Sequence, residues 1–166
     1  EYVRTKLAGE VFALTAPNAL VVRTNITGLR GTPGRPTFIE WVFSEVEQGR
    51  PFRLFDDYFG STIDTGAFAD ISFDLIASDA AGRFNLASRT VSSKQDFILA
   101  AARKLTGVDP DYTSTSVAEL ATARAESAGL DVSKIEKHLG RPMPDRDQVV
   151  SALAAAWAKR DTSPRR

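Results

Sequence analysis

The 166-residue chain has no cysteine, one histidine and one methionine. Without thiols there is no disulfide framework, no thiolate nucleophile and no cysteine-based metal cluster. The single histidine, His138, has no serine or carboxylate partner recognisable in the sequence, and reads as a solvated helix residue rather than a base. Charge of either sign is not in excess: 21 basic and 21 acidic residues cancel, so the electrostatic footprint of a nucleic-acid binder is missing. The basic ending Arg165-Arg166 is too short to change that. No apolar run approaches the ~20 residues that cross a bilayer, and no signal peptide is visible. These absences point to a cytoplasmic protein with no metal, nucleic-acid or membrane partner. Residue 1 is glutamate, not methionine, which suggests a piece or a processed product of a longer polypeptide.

What is present describes an ordinary globular chain, 43% hydrophobic and 25% charged, long enough for one sizeable core. Tyr2 to about Leu14 reads as a helix. Ala19 to Thr24, apolar and β-branched after Pro17-Asn18, suits a buried parallel strand. A Gly/Pro-rich loop, Gly28 to Pro36, leads into a helix over 37–48, with Phe38, Trp41, Val42 and Val46 at helical spacing and Gly49 at its end. Residues 51–55 form a short strand ending at Asp56-Asp57. Asp64-Thr65 caps a helix running to about Ala77, with Phe68, Ile71, Leu75 and Ile76 inward. Arg83 to Leu86 is a small strand. Ser92-Ser93-Lys94-Gln95 resembles a capping box opening a helix to Leu105, closed by Gly107. Region 109–130 is weakly periodic; helices over 132–139 and 145–159 finish the chain, with a frayed tail at 161–166. Strands alternating with helices imply an α/β fold.

Three patterns carry candidate chemistry. Tyr2 and Lys6 stand four residues apart, so on a helix the phenol and the ammonium face the same spot. A nearby cation favours the phenolate and eases proton transfer through tyrosine, the acid/base apparatus of a carbonyl–alcohol oxidoreductase. Gly28-x-x-Gly31-x-x-Gly34 lies after a strand and before a helix, as a dinucleotide fingerprint would. Against that, Arg23, Thr24 and Asn25 are polar where such a strand is apolar, and Pro33 removes an amide from a loop whose task is to present amides. The loop therefore reads as a connection on the substrate side. Asp56 and Asp57, adjacent at a strand end, point to opposite faces and do not make a joint metal site. Trp41 and Trp157 read as core, and Tyr58-Phe59 before Gly60 as a loop tip able to stack on a base or ribose.

Four ordered segments carry a resemblance: Tyr2-x-x-x-Lys6-Leu7-x-Gly9-Glu10, Val21-Val22-Arg23-Thr24-Asn25, Asp56-Asp57-Tyr58-Phe59-Gly60-Ser61-Thr62, and Gly129-Leu130-Asp131-Val132-Ser133-Lys134-Ile135. Together they resemble the extended short-chain dehydrogenase/reductases, in particular the dTDP-4-dehydrorhamnose reductase branch, over residues 1 to about 158. The resemblance implies the carboxyl-terminal part of a Rossmann-type NAD(P)-binding fold with its small substrate-binding subdomain. Residues 1–34 would end the dinucleotide-binding fold, and 35–160 would be mostly substrate-binding, with a strand and helix returning to the main sheet. It also implies an oxidoreductase using NADP or NAD on a nucleotide-linked keto-sugar, with Tyr2 and Lys6 catalytic. Tyr2, Lys6 and Thr24 would touch the cofactor; Asn25, Ile26, Phe38, Tyr58, Phe59 and Ser61 would bind substrate. The phosphate-binding loop and a third catalytic hydroxyl would lie in an amino-terminal half, a partner without which this chain is expected to be inactive; a homodimer is a further expected partner. The alternatives are an epimerase or dehydratase of the same superfamily, or a non-catalytic regulatory or partner-binding homologue.

Overall fold

A computed structural model describes residues 1–32, 34–120 and 127–160; the tail expected to fray, 161–166, lies outside the described residues, as do Pro33 and 121–126. The first helix, α1 (Tyr2–Ala13), precedes strand β1 (Leu20–Arg23), the two-residue strand β2 (Ile26–Thr27) and α2 (Phe38–Glu47). Next come β3 (Phe52–Phe55), β4 (Phe59–Gly60), β5 (Ile63–Asp64), α3 (Thr65–Ala77), β6 (Gly82–Asn85) and β7 (Ser92–Ser93). The chain continues through α4 (Lys94–Thr106), β8 (Tyr112–Thr115), a 3-10 turn at Val117–Glu119, β9 (Ser127–Ala128), α5 (Ser133–Leu139) and α6 (Arg146–Ala158). Pairing is mainly parallel: β1 with β6, β2 with β5, and β3 with β8, while β4 lies between antiparallel β7 and parallel β9. Parallel partners far apart in sequence require helical crossovers, which α2, α3 and α4 provide. The fold is α/β, as the alternating pattern implied.

Local chemistry explains the helix boundaries. Thr37 caps α2 while Glu40 reaches back to the Thr37 amide, a reciprocal capping box. Asp64 caps α3, as its sequence position implied, and Asp145 caps α6 with Gln148 closing the box. At α4 the cap is Ser93, which accepts from the Asp96 amide. The pairing expected one residue earlier, Ser92 with Gln95, does not form, because Gln95 Oε1 accepts from the Ser114 hydroxyl instead. Gly107 ends α4 in the left-handed region, at φ 83°.

The core gathers one face each of α2, α4 and α6 over β3 and β5, with Ile39, Phe43, Leu54, Ile63, Ile71, Leu75 and Val149 almost wholly buried. Trp157 of α6 lies 5.4 Å from the Phe43 ring and donates to Glu47 at 2.8 Å, so its core placement holds. Trp41 does not follow: it is 42% exposed and meets Phe52 edge-on, while Ile39 and Phe43 take the inward face of α2. Ile76 on α3 likewise faces outward, since Ile71 and Leu75 alone of the apolar residues on that helix are fully buried. Helical spacing marks a stripe, but the width that is covered depends on what packs against it.

The first helix is the exception to core packing. No residue of α1 is buried, and Tyr2, Val3, Leu7, Val11 and Phe12 are all exposed. It is held to β1 and β6 by charge: Arg23 makes a bidentate pair with Glu10 at 2.7 and 2.8 Å, and Arg83 reaches the same carboxylate at 3.0 Å. The polar Arg23 within an otherwise apolar strand is thereby explained.

Candidate active site

Tyr2 and Lys6 lie one turn apart on α1, with Lys6 Nζ 5.5 Å from the centroid of the Tyr2 ring. Both side chains are exposed and available to a ligand or a covering segment. Thr24, just beyond β1, has a buried hydroxyl with no hydrogen-bond partner among the described residues. Buried polar atoms are nearly always satisfied, so an orphan of this kind marks a place where a ligand or water belongs.

Past Thr24 the chain enters a small polar cleft of about 60 Å³, lined by Asn25, Tyr58, Phe59, Gly60, Thr62, Ser92, Ser93, Lys94 and Phe97. By volume it has room for a few water-sized atoms. Glycine at position 60 leaves room for the Asn25 amide: a Cβ there would stand 2.9 Å from Asn25 Nδ2 and would push that side chain aside. Of the expected substrate contacts, the cleft brings Asn25, Tyr58 and Phe59 together. Ile26 and Phe38 line a neighbouring shallow groove with Gly28, Leu29, Thr37 and Thr65. Ser61 is fully buried, and its hydroxyl accepts from the Leu130 amide at 2.9 Å, tying two loops together instead of facing the cleft.

Lys94 is one of the cleft residues that sequence reasoning missed, with Ser92, Ser93 and Phe97. The Lys94 Nζ rests 3.4 Å from the centroid of Phe38, and among the described residues it enters no ion pair. Burial pushes its pKa down to about 8. A signal existed in the sequence: lysine as the first helical residue after a serine cap puts a cation at the positive end of the helix dipole.

The glycine loop and Asp57 have structural roles. Glu40 Oε1 accepts from the Arg30 amide at 2.8 Å and the Gly31 amide at 2.6 Å, and Oε2 from the Thr37 amide at 2.6 Å. Amides that a pyrophosphate would need are thus occupied by a carboxylate of the same chain. Burial alone would raise the Glu40 pKa, but these amide bonds outweigh it and hold the group below its ordinary value. Asp57 takes the Ser116 hydroxyl and the Val117 amide, which together hold its carboxyl low, whereas Asp56 is exposed. His138 is exposed on α5, 2.9 Å from the Ser78 hydroxyl.

No family model matches the chain. A curated relative does: the probable low-salt glycan biosynthesis reductase Agl14 of Haloferax volcanii is 31% identical over 163 residues, covering 95% of this chain and 54% of the relative. Among solved structures, a dTDP-4-dehydrorhamnose reductase from Clostridium acetobutylicum superposes with TM-score 0.78 at 19% identity, over 95% of this chain and 55% of that one. The same enzyme from Bacillus anthracis, in complex with NADP, gives TM-score 0.78 at 18% identity, over 93% and 55%. The fold is that of the dTDP-4-dehydrorhamnose reductases. The resemblance read from the four sequence segments is borne out, in a Rossmann-type α/β architecture. The chain spans about half the length of the relatives that it matches.

Proposed function

We propose that this chain supplies the proton donor and the substrate pocket of an NAD(P)-dependent reductase of a nucleotide-linked keto-sugar. The observation that carries the reading is the Tyr2–Lys6 pair on one exposed face of α1, in a chain similar to a reductase along nearly its whole length. Residues 1–34 then close the nucleotide-binding fold, and 35–160 form mostly the substrate side. The remainder of that fold covers the apolar side of α1, where Val3, Leu7, Val11 and Phe12 are exposed.

The residues present suit a nicotinamide dinucleotide. The phenol and the ammonium are exposed one turn apart, where they can meet the ribose and nicotinamide, and the buried Thr24 hydroxyl has no hydrogen-bond partner among the described residues. When bound, the dinucleotide supplies hydride to the carbonyl carbon of the sugar. As charge builds on the carbonyl oxygen, Tyr2 Oη donates its proton there, and the Lys6 ammonium favours the phenolate left behind. Lys6 also holds the ribose hydroxyls, fixing the geometry in which the proton moves. Asn25 and Tyr58 orient the sugar by hydrogen bonds, and the Phe59 ring, 39% exposed at the cleft mouth, shields one side from water.

The test is reduction of dTDP-, UDP- and GDP-linked keto-sugars by NADPH, followed at 340 nm, with this chain in its complete protein. Tyr2→Phe is expected to lower kcat by about 10²- to 10⁴-fold, and the 166-residue chain alone to show no turnover. A Tyr2→Phe enzyme with wild-type turnover on every substrate would end the proposal.

A further inference from the structure

The polar cleft combines features that a purely structural lysine does not need. Lys94 opens α4, a helix of 13 residues, so its charge opposes the dipole at that end. Lys94 is half-buried, and burial is the cause of its lowered pKa. Its nearest compensation is the face of Phe38 at 3.4 Å, not a carboxylate. Around it the cleft is lined by neutral polar residues, Asn25, Tyr58, Thr62 and Ser92. A cation kept partly dry, without a counter-ion among the described residues, beside neutral polar groups and a cavity of about 60 Å³, is arranged to receive a negative charge from outside.

We infer that Lys94 is the anchor of an oxyanion subsite, binding a phosphate or carboxylate group of the substrate in the cleft bounded by Asn25, Tyr58 and Thr62. The volume of about 60 Å³ fits such a group, with the rest of the substrate lying at the open mouth of the cleft. The cost of burying the ammonium is then offset in the complex, where the anion provides the missing partner. The inference rests on the cleft being the substrate pocket. It is read out by binding and not by turnover, so it stands or falls separately from the role of Tyr2. Two sources offer the same chemistry: the diphosphate of a nucleotide-linked sugar, or a carboxylate on the sugar itself.

Isothermal titration of the complete protein, presaturated with NADP, with inorganic pyrophosphate, UDP, UDP-glucose and UDP-glucuronate separates them. At least one probe is expected to bind saturably below about 10 mM, with affinity falling about tenfold or more in Lys94→Met and surviving in Lys94→Arg. Binding of pyrophosphate and UDP identifies the diphosphate as the source; binding of UDP-glucuronate alone identifies a sugar carboxylate. Methionine fills the space over Phe38, and circular dichroism checks that the variant folds; if it does not, Lys94→Gln is read in its place. Equal affinity in the wild type and the neutral variant, or no saturable binding by any probe, overturns the inference.

Discussion

Glu40 shows how a single carboxylate decides the character of a loop. It is 7% exposed, yet carries its charge because the amides of Arg30, Gly31 and Thr37 point at it. A buried anion solvated by backbone amides organises the glycine loop as a phosphate would, and it explains why glycine spacing alone misleads. Its pKa lies below the ordinary value of 4.5, the amide bonds overcoming the burial that would raise it. The folded state therefore holds the carboxylate more readily than the unfolded chain does. Its contribution is complete above about pH 4.5 and is lost as pH falls from there through the folded-state value. Glu40→Gln is expected to lower stability by about 1–3 kcal/mol at pH 7. In thermal melts the gap between variant and wild type should narrow below pH 4.5; equal melting temperatures at pH 7 would contradict this account.

At the scale of elements, α1 is set apart from the other long helices. α2, α4 and α6 each bury several apolar residues, whereas α1 buries none and is fastened by Glu10 to Arg23 and Arg83. Such a helix opens locally without disturbing the core. Glu10→Ala is expected to raise the rate of tryptic cleavage after Arg4 and Lys6 severalfold, while moving the melting temperature by less than about 2 °C. A fall in melting temperature matching that of a core substitution would show that α1 is integral to the cooperative unit. The long elements were legible in the sequence, because caps such as Asp64 and stops such as Gly107 act locally. The two-residue strands β2, β4, β5, β7 and β9 were not, since each exists only through a partner remote in sequence.

Across the whole molecule, the core closes where α6 returns to α2. Trp157 packs on Phe43, bonds Glu47, and is covered by Arg160 at 3.5 Å from its ring. Trp157→Ala is expected to cost about 3–5 kcal/mol, and Trp41→Ala, at an exposed position, about 1 kcal/mol or less. Urea midpoints of the two variants check the difference, and equal losses would refute this placement of the core. Sequence by itself determined the α/β class, the main helices, the likeness to sugar-nucleotide reductases and the Tyr2–Lys6 pair, because periodicity, caps and four-residue spacing are properties of neighbours along the chain. Tertiary structure alone decided that Trp41 and Ile76 face outward, that Ser61 is a buried tie, that Glu40 occupies the loop amides, and that Lys94 meets Asn25 and Tyr58 in one cleft. Those outcomes depend on residues dozens of positions apart competing for the same space and the same hydrogen bonds, and no local pattern encodes which of them prevails.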